Sequence, residues 1–422
     1  MDEEQDLGLN MLFGGEEDEY EDLYYEEDLG LNVLFGEDNE NNFEDSENQR
    51  AEEGYVQALR RIVEWEEQYA EDPANVIETL DLSGLGLKTV PPLPEGLRWL
   101  KCENNLLETL GDDYDSLPRS LISLECGNNR LTGLPDPLPP YLYALDCENN
   151  RLTRLPEVLP DTITRLYIDR NQITELPAAL PVALEMLSAD NNLLTELPAA
   201  LPATLRSLYV SYNRLTRLPP SLPPRLTSLS VNNNLITEFT EFPPAVEVLY
   251  LCKNPAPGPL PPLPPALKRL TACELGIKAL PALPPRLEML RASCNKLTRL
   301  PTLPATVTDI CVGHNYLTEL PLPLPPNLVS LGAVWNRLGH LPDPEEFPKT
   351  VEQFWFDGNA LPNEEEGESL HDYLAEVKRL CAKYQTRITK RTNSIFDELM
   401  ALTWHPDRVD ARRAYGIAYD EM

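Results

Sequence analysis

Apolar residues recur through the middle of the chain in the order L-x-x-L-x-L-x-x-N-x-L-x-x-L-P, and this order repeats fourteen times. One clear copy has Leu142, Leu145, Cys147, Asn150 and Leu152 in place, and the next copy begins 21 residues later. A unit this short cannot bury its own apolar face, so neighbouring units must stack. The pattern therefore predicts one repeat solenoid over residues 76-362, in which the L-x-L segments form a parallel sheet.

One polar position recurs with the leucines. It holds asparagine in all units but two, where Leu85 and Leu275 occupy it. We expect the asparagines to hydrogen-bond the main chain at the turn after each strand. They are Asn105, Asn129, Asn150, Asn171, Asn192, Asn213, Asn234, Asn254, Asn295, Asn315, Asn336 and Asn359.

Prolines follow the asparagine turn in almost every unit. A unit of 21 residues is too short for a strand and a full helix, and the Leu-Pro-Pro connections at 138–140 and 260–262 exclude regular helix. We predict an extended, polyproline-like convex side. The fold class is then an α/β repeat solenoid with a parallel concave sheet.

Helical spacing of apolar residues flanks the repeats. It predicts an N-terminal helical cap over residues 51-75 and a C-terminal helical cap and tail over residues 363-422. The apolar stripes are Val56, Leu59, Ile62, Val63 and Tyr69 before the repeats, and Leu370, Leu374, Val377, Cys381, Tyr384 and Ile388 after them.

Acidic residues concentrate at the N-terminus. The chain carries a net charge of -34, and residues 1-50 hold 19 Asp and Glu against the single Arg50. This composition predicts a disordered tail, in which the motif D-L-G-L-N-x-L-F-G occurs twice, at residues 6–14 and 28–36. The acidity disfavours nucleic acid and anionic membranes as partners, and favours a protein with a basic segment.

Signals for export, membrane insertion and catalysis are missing from the sequence. The first residues lack a basic, then apolar, leader, and no apolar run reaches the roughly 18 residues that span a bilayer. No phosphate-binding, dinucleotide-binding, zinc-hydrolase or nucleophile-elbow motif occurs. We therefore expect an intracellular, cytoplasmic protein that is not an enzyme and needs no cofactor or metal.

The cysteines fall into two groups within the repeats. Cys102, Cys126 and Cys147 fill the second leucine position of the L-x-L segment, where a small apolar side chain packs in the core. The second group lies in or beside outward positions: Cys252, Cys273, Cys294 and Cys311. For this group, packing of small residues is the main interpretation, and a zinc site or a Cys252–Cys273 disulfide is the alternative.

The Leu-Pro-x-Leu-Pro-x-x-Leu spacing resembles the short LPX class of leucine-rich repeats of enteric bacterial effectors, which includes IpaH-like ubiquitin ligases and YopM-like scaffolds. The resemblance covers residues 62–362 and implies a leucine-rich-repeat horseshoe that binds proteins. Ligases of that family carry a Cys-x-Asp nucleophile motif in a large helical domain. The corresponding part of this chain reads Cys381-Ala382-Lys383, so we expect that domain to be absent.

A short motif near the C-terminus has two resemblances. The run Trp404-His405-Pro406-Asp407-Arg408 is similar to a tail that ends many repeat proteins of giant DNA viruses. Its His-Pro-Asp tripeptide also resembles that of J-domain cochaperones, although the other parts of a J domain are missing. The main interpretation is a packed terminal helix anchored by Trp404.

Outward positions of the L-x-x-L-x-L segments supply a candidate binding surface, because alternate strand residues face away from the core. We predict a non-enzymatic scaffold that binds a protein partner there, so that loss of Tyr209 and Tyr250 weakens binding more than reversal of convex charges such as Glu157 and Glu175. The alternatives are a structural component of a virion or assembly, and a substrate adaptor for a ubiquitin ligase or chaperone. The candidate residues are Asp81, Glu103, Glu125, Asp146, Glu148, Tyr167, Asp169, Asp190, Tyr209, Tyr212, Tyr250, Lys253, Arg269, Arg291, Trp335 and Trp355.

Overall fold

A computed structural model describes residues 38–71, 79–111, 116–361, 373–375 and 377. Within these residues, a 34-residue helix α1 (Asp38–Glu71) precedes fourteen three-residue strands that form one parallel sheet in sequence order. The predicted solenoid with a parallel sheet is confirmed. The strands are β1 Thr79–Asp81, β2 Trp99–Lys101, β3 Ser123–Glu125, β4 Ala144–Asp146, β5 Arg165–Tyr167, β6 Met186–Ser188, β7 Ser207–Tyr209, β8 Ser228–Ser230, β9 Val248–Tyr250, β10 Arg269–Thr271, β11 Met289–Arg291, β12 Asp309–Cys311, β13 Ser330–Gly332 and β14 Gln353–Trp355.

The core is a stack of leucines drawn from every repeat. The middle residue of a strand faces inward and pairs in register with its counterpart, as Leu166 does with Leu187 and Leu187 with Leu208. Each buried leucine contributes roughly 1.5–3 kcal/mol through the hydrophobic effect, and stacking alone achieves this burial. The three core cysteines predicted from the sequence, Cys102, Cys126 and Cys147, are also fully buried.

The recurring asparagines join successive repeats. The side-chain amide of Asn213 donates to the carbonyl oxygens of Ala189, Val210 and Ser211 at 2.9, 3.2 and 3.0 Å, while its Oδ1 accepts from the Leu194 amide at 2.9 Å. All the asparagines of the repeat position are buried. The predicted hydrogen bonding to the main chain is confirmed, and it satisfies peptide groups that the short strands leave unpaired.

Helix α1 covers the first repeat with a different face from the one predicted. The helix begins at Asp38, upstream of the predicted boundary at residue 51, and buries Gly54, Ala58, Ile62 and Trp65. Of the predicted stripe only Ile62 is buried; the exposed members are Val56, Leu59, Val63 and Tyr69.

The reason is a close approach at Gly54. A Cβ there would lie 1.7 Å from the carbonyl oxygen of Leu85. The face of α1 that packs against the first repeat is therefore determined by the small residue Gly54, and not by the largest apolar residues of the helix. Arg61 adds a hydrogen bond of 2.7 Å from its guanidinium to the Asp81 carbonyl oxygen.

The last strands pack against a short helical segment. Residues 373–375 and 377 are helical, and Leu374 and Val377 of the predicted C-terminal stripe are buried there. Tyr373, which the stripe did not include, stacks on Phe356 with ring centroids 6.1 Å apart. The other predictions for this end, which concern Leu370, Cys381, Tyr384, Ile388 and the Trp404 tail, lie outside the described residues, as do residues 1–37 of the acidic tail.

The convex side has little regular structure. Among the described residues, the connections between strands contain one short 3-10 helix (Pro344–Glu346) and no α-helix. This agrees with the extended convex side predicted from the prolines. No helix in the described ranges is long and apolar enough to cross a bilayer.

Candidate functional site on the concave face

Three columns of side chains run along the concave face. The strand-end column consists of the third residue of each strand, which points away from the core because the middle residue points into it. The bend column holds the residue two positions after each strand, and the turn column holds the next residue. In repeat 5 these positions are Tyr167, Asp169 and Arg170.

All but one of the predicted site residues fall into these columns, and Arg269 is the first residue of β10. Half of them lie in the strand-end column, which runs across the paired strands with one residue from each strand. The strand-end column holds Asp81, Glu125, Asp146, Tyr167, Tyr209, Tyr250, Arg291 and Trp355; the bend column holds Glu103, Glu148, Asp169 and Asp190; the turn column holds Tyr212, Lys253 and Trp335.

The bend column is a chain of hydrogen bonds between repeats. Asp169 Oδ1 accepts from the Asp190 amide at 2.8 Å and from Ser188 Oγ at 2.7 Å, and Asp190 Oδ1 accepts from the Ser211 amide. Farther along, Asn232 Oδ1 accepts from the Cys252 amide at 2.7 Å. Asp169 and Asp190 thus have a structural role, which the sequence alone does not reveal.

Residues of the turn column have a left-handed backbone conformation, even where their side chains are large. Among the described residues, twelve non-glycine residues have positive φ, including Tyr212 (52°), Lys253 (55°) and Trp335 (52°). Asparagine tolerates this conformation, whereas other L-residues pay roughly 1–2 kcal/mol. The N-terminal repeats mostly use asparagine here, for example Asn104 and Asn128. Residues for which the left-handed backbone conformation is unfavourable are therefore concentrated in the C-terminal half of the face.

The acidic residues of repeats 2 to 5 form one electrostatic group, which we call the acidic cluster: Glu103, Glu125, Asp146, Glu148 and Asp169. Burial and the neighbouring carboxylates, chiefly Glu148, raise the pKa of Asp146 to about 6, although a hydrogen bond from the Glu148 amide opposes this. Burial and the charge of Glu125 also raise the pKa of Glu103, and burial raises that of Asp169. Ionisation of Glu103, Asp146 and Asp169 is therefore unfavourable, chiefly because these carboxylates are partly buried.

A lysine interrupts the row of acidic residues in the strand-end column. Lys101 lies between Asp81 and Glu125 in the strand-end column, and its Nζ is 2.6 Å from Glu125 Oε2. Burial would raise the pKa of Asp81, but hydrogen bonds from Ser83 and the charges of Arg61 and Lys101 keep this pKa below its usual value. Asp81 is thus stabilised in its ionised form, unlike Asp146.

Removing the Asp146 charge is expected to stabilise the fold. Between pH 3.8 and about 6 the folded state binds more protons at this carboxyl than the unfolded state, so stability falls as pH rises through that window. Asp146→Asn keeps an oxygen acceptor for the Glu148 amide and cannot ionise. We expect its melting temperature to exceed that of the unmodified chain by a few degrees at pH 7.5, with the gap closing by pH 4.

The matched control is Asp161→Asn at an exposed carboxylate outside the three columns. Thermal unfolding followed by circular dichroism across this pH range measures both variants. A melting temperature for Asp146→Asn that is unchanged or lower at pH 7.5 would show that the carboxylate is not held unfavourably.

Tyrosines and tryptophan extend the face beyond the acidic cluster. Tyr167, Tyr209 and Tyr250 are partly exposed and alternate with Ser188 and Ser230 in the strand-end column. These serines and Lys101 were not among the predicted site residues, although their spacing from the predicted residues marks the same column.

Trp335 is positioned by its neighbours near the C-terminal end. It stacks on His314 with ring centroids 6.0 Å apart, and a Cβ at Gly358 would lie 2.6 Å from its ring. The indole is nevertheless 46% exposed. Arg291 Nε lies 3.7 Å from Asp309 Oδ1 and the Arg291 side chain is mostly buried, so Arg291 is less accessible than Lys253 or Arg269.

The second group of cysteines lies among the basic residues of the face. Cys252 Sγ accepts a hydrogen bond from the Cys273 amide at 3.1 Å, and Cys311 Sγ lies 3.3 Å from Ser293 Oγ. A hydrogen bond with Cys252, together with burial, raises the pKa of the Cys273 thiol well above its usual value. Within the described ranges, no group of three or more His, Cys, Asp or Glu is placed to hold a metal ion.

A groove of about 1330 Å³ lies away from the sheet, across repeats 3 to 7. Leucine, proline and alanine residues such as Leu176, Pro177 and Ala199 line it, and charged residues stand on its rim. Glu157 and Glu175, the convex charges whose reversal is predicted to weaken binding less than loss of the tyrosines, both line this groove. It is therefore a second surface against which the concave face must be tested.

Comparison with known proteins agrees with this architecture. A family model described as Leucine Rich Repeat matches residues 204–224. A leucine-rich-repeat protein of Leptospira interrogans shares the fold at 23% identity and a TM-score of 0.53, over 70% of this chain and 93% of that one. A protein of Sinorhizobium fredii named "Probable E3 ubiquitin-protein ligase" is 46% identical over 81 residues, but the match spans only 13% of that protein and 19% of this chain.

The leucine-rich effector protein YopM of Yersinia pestis gives the broadest of these matches. It is 31% identical, has a TM-score of 0.54, and aligns with 76% of this chain over its whole resolved length. The identity and the coverage extend the likeness beyond a shared fold to the repeat sequence itself. The chain therefore belongs to the leucine-rich-repeat family, with a repeat region similar to that of YopM.

Proposed function

We propose that this protein is a non-enzymatic scaffold that binds a protein partner on its concave face. In this proposal a basic segment of the partner lies on the acidic cluster, and an apolar part contacts Tyr167, Tyr209 and Tyr250. Solenoids of this family present an extended surface suited to protein partners. The turn-column residues Tyr212, Lys253 and Trp335 would form the margin of the contact.

The observation that carries this proposal is the placement of acidic residues side by side on the concave face, with Glu125 and the partly buried Asp146 in register on neighbouring strands. The pKa of Asp146 is raised to about 6, so ionising it at neutral pH opposes folding. Residues that cost stability are characteristic of functional surfaces. A lysine or arginine side chain from a partner would reverse the sign of the interaction and favour the ionised carboxylate.

Position-specific photo-crosslinking tests the proposal. A photoreactive phenylalanine analogue is introduced at Tyr209 on the concave face, at Glu175 in the convex groove, or at the exposed Val158 as control. We expect a discrete crosslinked protein from position 209 in cells that produce the chain, and none from position 158. Reversing the charges of Glu125 and Asp146 to lysine should abolish the product, because the basic segment would be repelled.

A crosslinked product from position 175 in place of position 209 would move the binding surface to the convex groove. A product from position 209 that survives the charge reversal would contradict the role given to the acidic cluster. Thermal unfolding of each variant verifies that the solenoid is intact.

A further inference from the structure

The strand-end column alternates tyrosine and serine over five successive strands. In-register pairing from β5 to β9 gives the order Tyr167, Ser188, Tyr209, Ser230, Tyr250. Neighbouring strands are about 4.8 Å apart, so successive tyrosines stand about 9.6 Å apart. The column therefore has two gaps between aromatic rings, which we call the tyrosine gaps: one over Ser188 and one over Ser230.

Hydrogen bonds fix the floor of each tyrosine gap. Ser188 Oγ donates to Asp169 Oδ1 at 2.7 Å, and the hydroxyl oxygens of Ser230 and Ser211 are 2.7 Å apart. Ser230 is only 5% exposed, whereas the flanking tyrosines are partly exposed. Each gap thus has a tyrosine on either side and a small, internally bonded base, which is partly exposed at Ser188 and almost covered at Ser230.

The separation of the gaps matches one turn of a polyproline II helix. This conformation has three residues per turn and rises 3.1 Å per residue, so residues i and i+3 face the same side about 9.3 Å apart. A β-strand repeats its facing at about 6.8 Å, which does not fit. An α-helix also puts residues i+3 and i+4 on the same face, where they would meet the central ring of Tyr209.

Resting on the proposed function, we propose that the tyrosine gaps bind a proline-rich polyproline II segment of the partner. Two prolines three residues apart lie over Ser188 and Ser230 and pack against the exposed parts of Tyr167, Tyr209 and Tyr250. This backbone has no internal hydrogen bonds, so its carbonyl oxygens are available to the tyrosine hydroxyls. Because it is extended before binding, little conformational entropy is lost.

Charge sets the direction of the segment. Asp146 occupies the strand-end column one strand before Tyr167, and Glu125 lies one strand farther. Beyond Tyr250 the exposed charges include Lys253, Arg269 and the acid Glu274. The bound segment therefore carries its arginine or lysine residues at the end nearest Asp146, and acidic or neutral residues at the other end.

Fluorescence anisotropy with a synthetic peptide tests this inference on the full chain. The probe has about nine prolines, enough for three polyproline II turns, and two arginines at one end. We expect saturable binding that Tyr209→Ala weakens about tenfold or more, as for an aromatic anchor. Ser230→Tyr, which fills one gap without removing a ring, should weaken it similarly.

Matched controls separate the gaps from charge and from folding. Tyr143→Ala removes an exposed tyrosine outside the strand-end column and should leave binding unchanged. A peptide with the same arginines but glycine and serine in place of proline should bind far more weakly. Equal binding of the two peptides, or full binding by Tyr209→Ala, overturns the inference.

The outcome is distinguishable from failure of the proposed function. If the proline peptide does not bind while position 209 still crosslinks to a partner, the concave scaffold stands and the proline-rich ligand is wrong. If neither occurs, the concave assignment itself is wrong. Circular dichroism melting of Tyr209→Ala and Ser230→Tyr shows whether a loss reflects unfolding.

Discussion

Asn213→Ala is expected to lower the free energy of unfolding by about 2–5 kcal/mol, because the substitution leaves several buried main-chain groups without partners. The lost bonds are those to the carbonyl oxygens of Ala189, Val210 and Ser211 and from the Leu194 amide. The alanine side chain leaves a small void and admits no replacement acceptor. Urea unfolding followed by far-UV circular dichroism measures the change.

Two companion variants separate the contributions of this asparagine. Asn213→Asp retains an oxygen for the Leu194 amide but loses the donors, and it also buries a charge, so it should be at least as damaging as alanine. Arg214→Ala, at the exposed neighbouring position, should change stability by less than about 0.5 kcal/mol. A loss for Asn213→Ala no larger than that of Arg214→Ala would show that the asparagines do not join the repeats energetically.

Gly54→Ala is expected to destabilise the chain, against the usual preference of helices. In a helix interior, alanine is ordinarily favoured over glycine by about 0.5–1 kcal/mol. Here the added Cβ would lie 1.7 Å from the Leu85 carbonyl oxygen, so α1 must move off the first repeat. That movement loosens the contacts of Ala58, Ile62 and Trp65 with the core. We expect a loss of several degrees in melting temperature and faster proteolysis near the first repeat.

The direction of the change in stability distinguishes close packing at Gly54 from ordinary helix propensity. Gln57→Ala introduces the same helix-favouring residue at an exposed position of α1 and should be neutral or slightly stabilising. If Gly54→Ala also stabilised the chain, the close packing of α1 against Leu85 would be contradicted.

The repeat core could be predicted because the same pattern of residues recurs from repeat to repeat. Leu166 and Asn171 are unremarkable alone, but equivalent residues recur at a constant spacing, and stacking gives each the same environment. The role of each position therefore follows from the pattern. The parallel sheet and the buried asparagines are direct consequences.

Features decided by a single contact could not be predicted in this way. The packed face of α1 depends on how close Gly54 comes to the Leu85 carbonyl, which no apolar periodicity encodes. Similarly, Asp169 has the sequence signature of an outward acid, but its oxygen accepts the amide of Asp190 in the next repeat. The position of Lys101 could have been predicted from the sequence, because the residue lies in the same strand-end position as Asp81 and Glu125.

Equal unit length gives the middle of the solenoid a translational symmetry. The asparagines at 129, 150, 171, 192, 213 and 234 are 21 residues apart, so excising one such unit re-creates the pattern of main-chain hydrogen bonds and the stack of core leucines. The strand-end column lacks this symmetry, because its tyrosines recur with every second unit. Loss of the unit that carries Ser188 would place Tyr167 beside Tyr209 and close a gap, whereas loss of two units would keep the alternation. The fold therefore does not depend on whether an odd or an even number of repeats is lost, whereas the alternation of tyrosine and serine on the concave surface does.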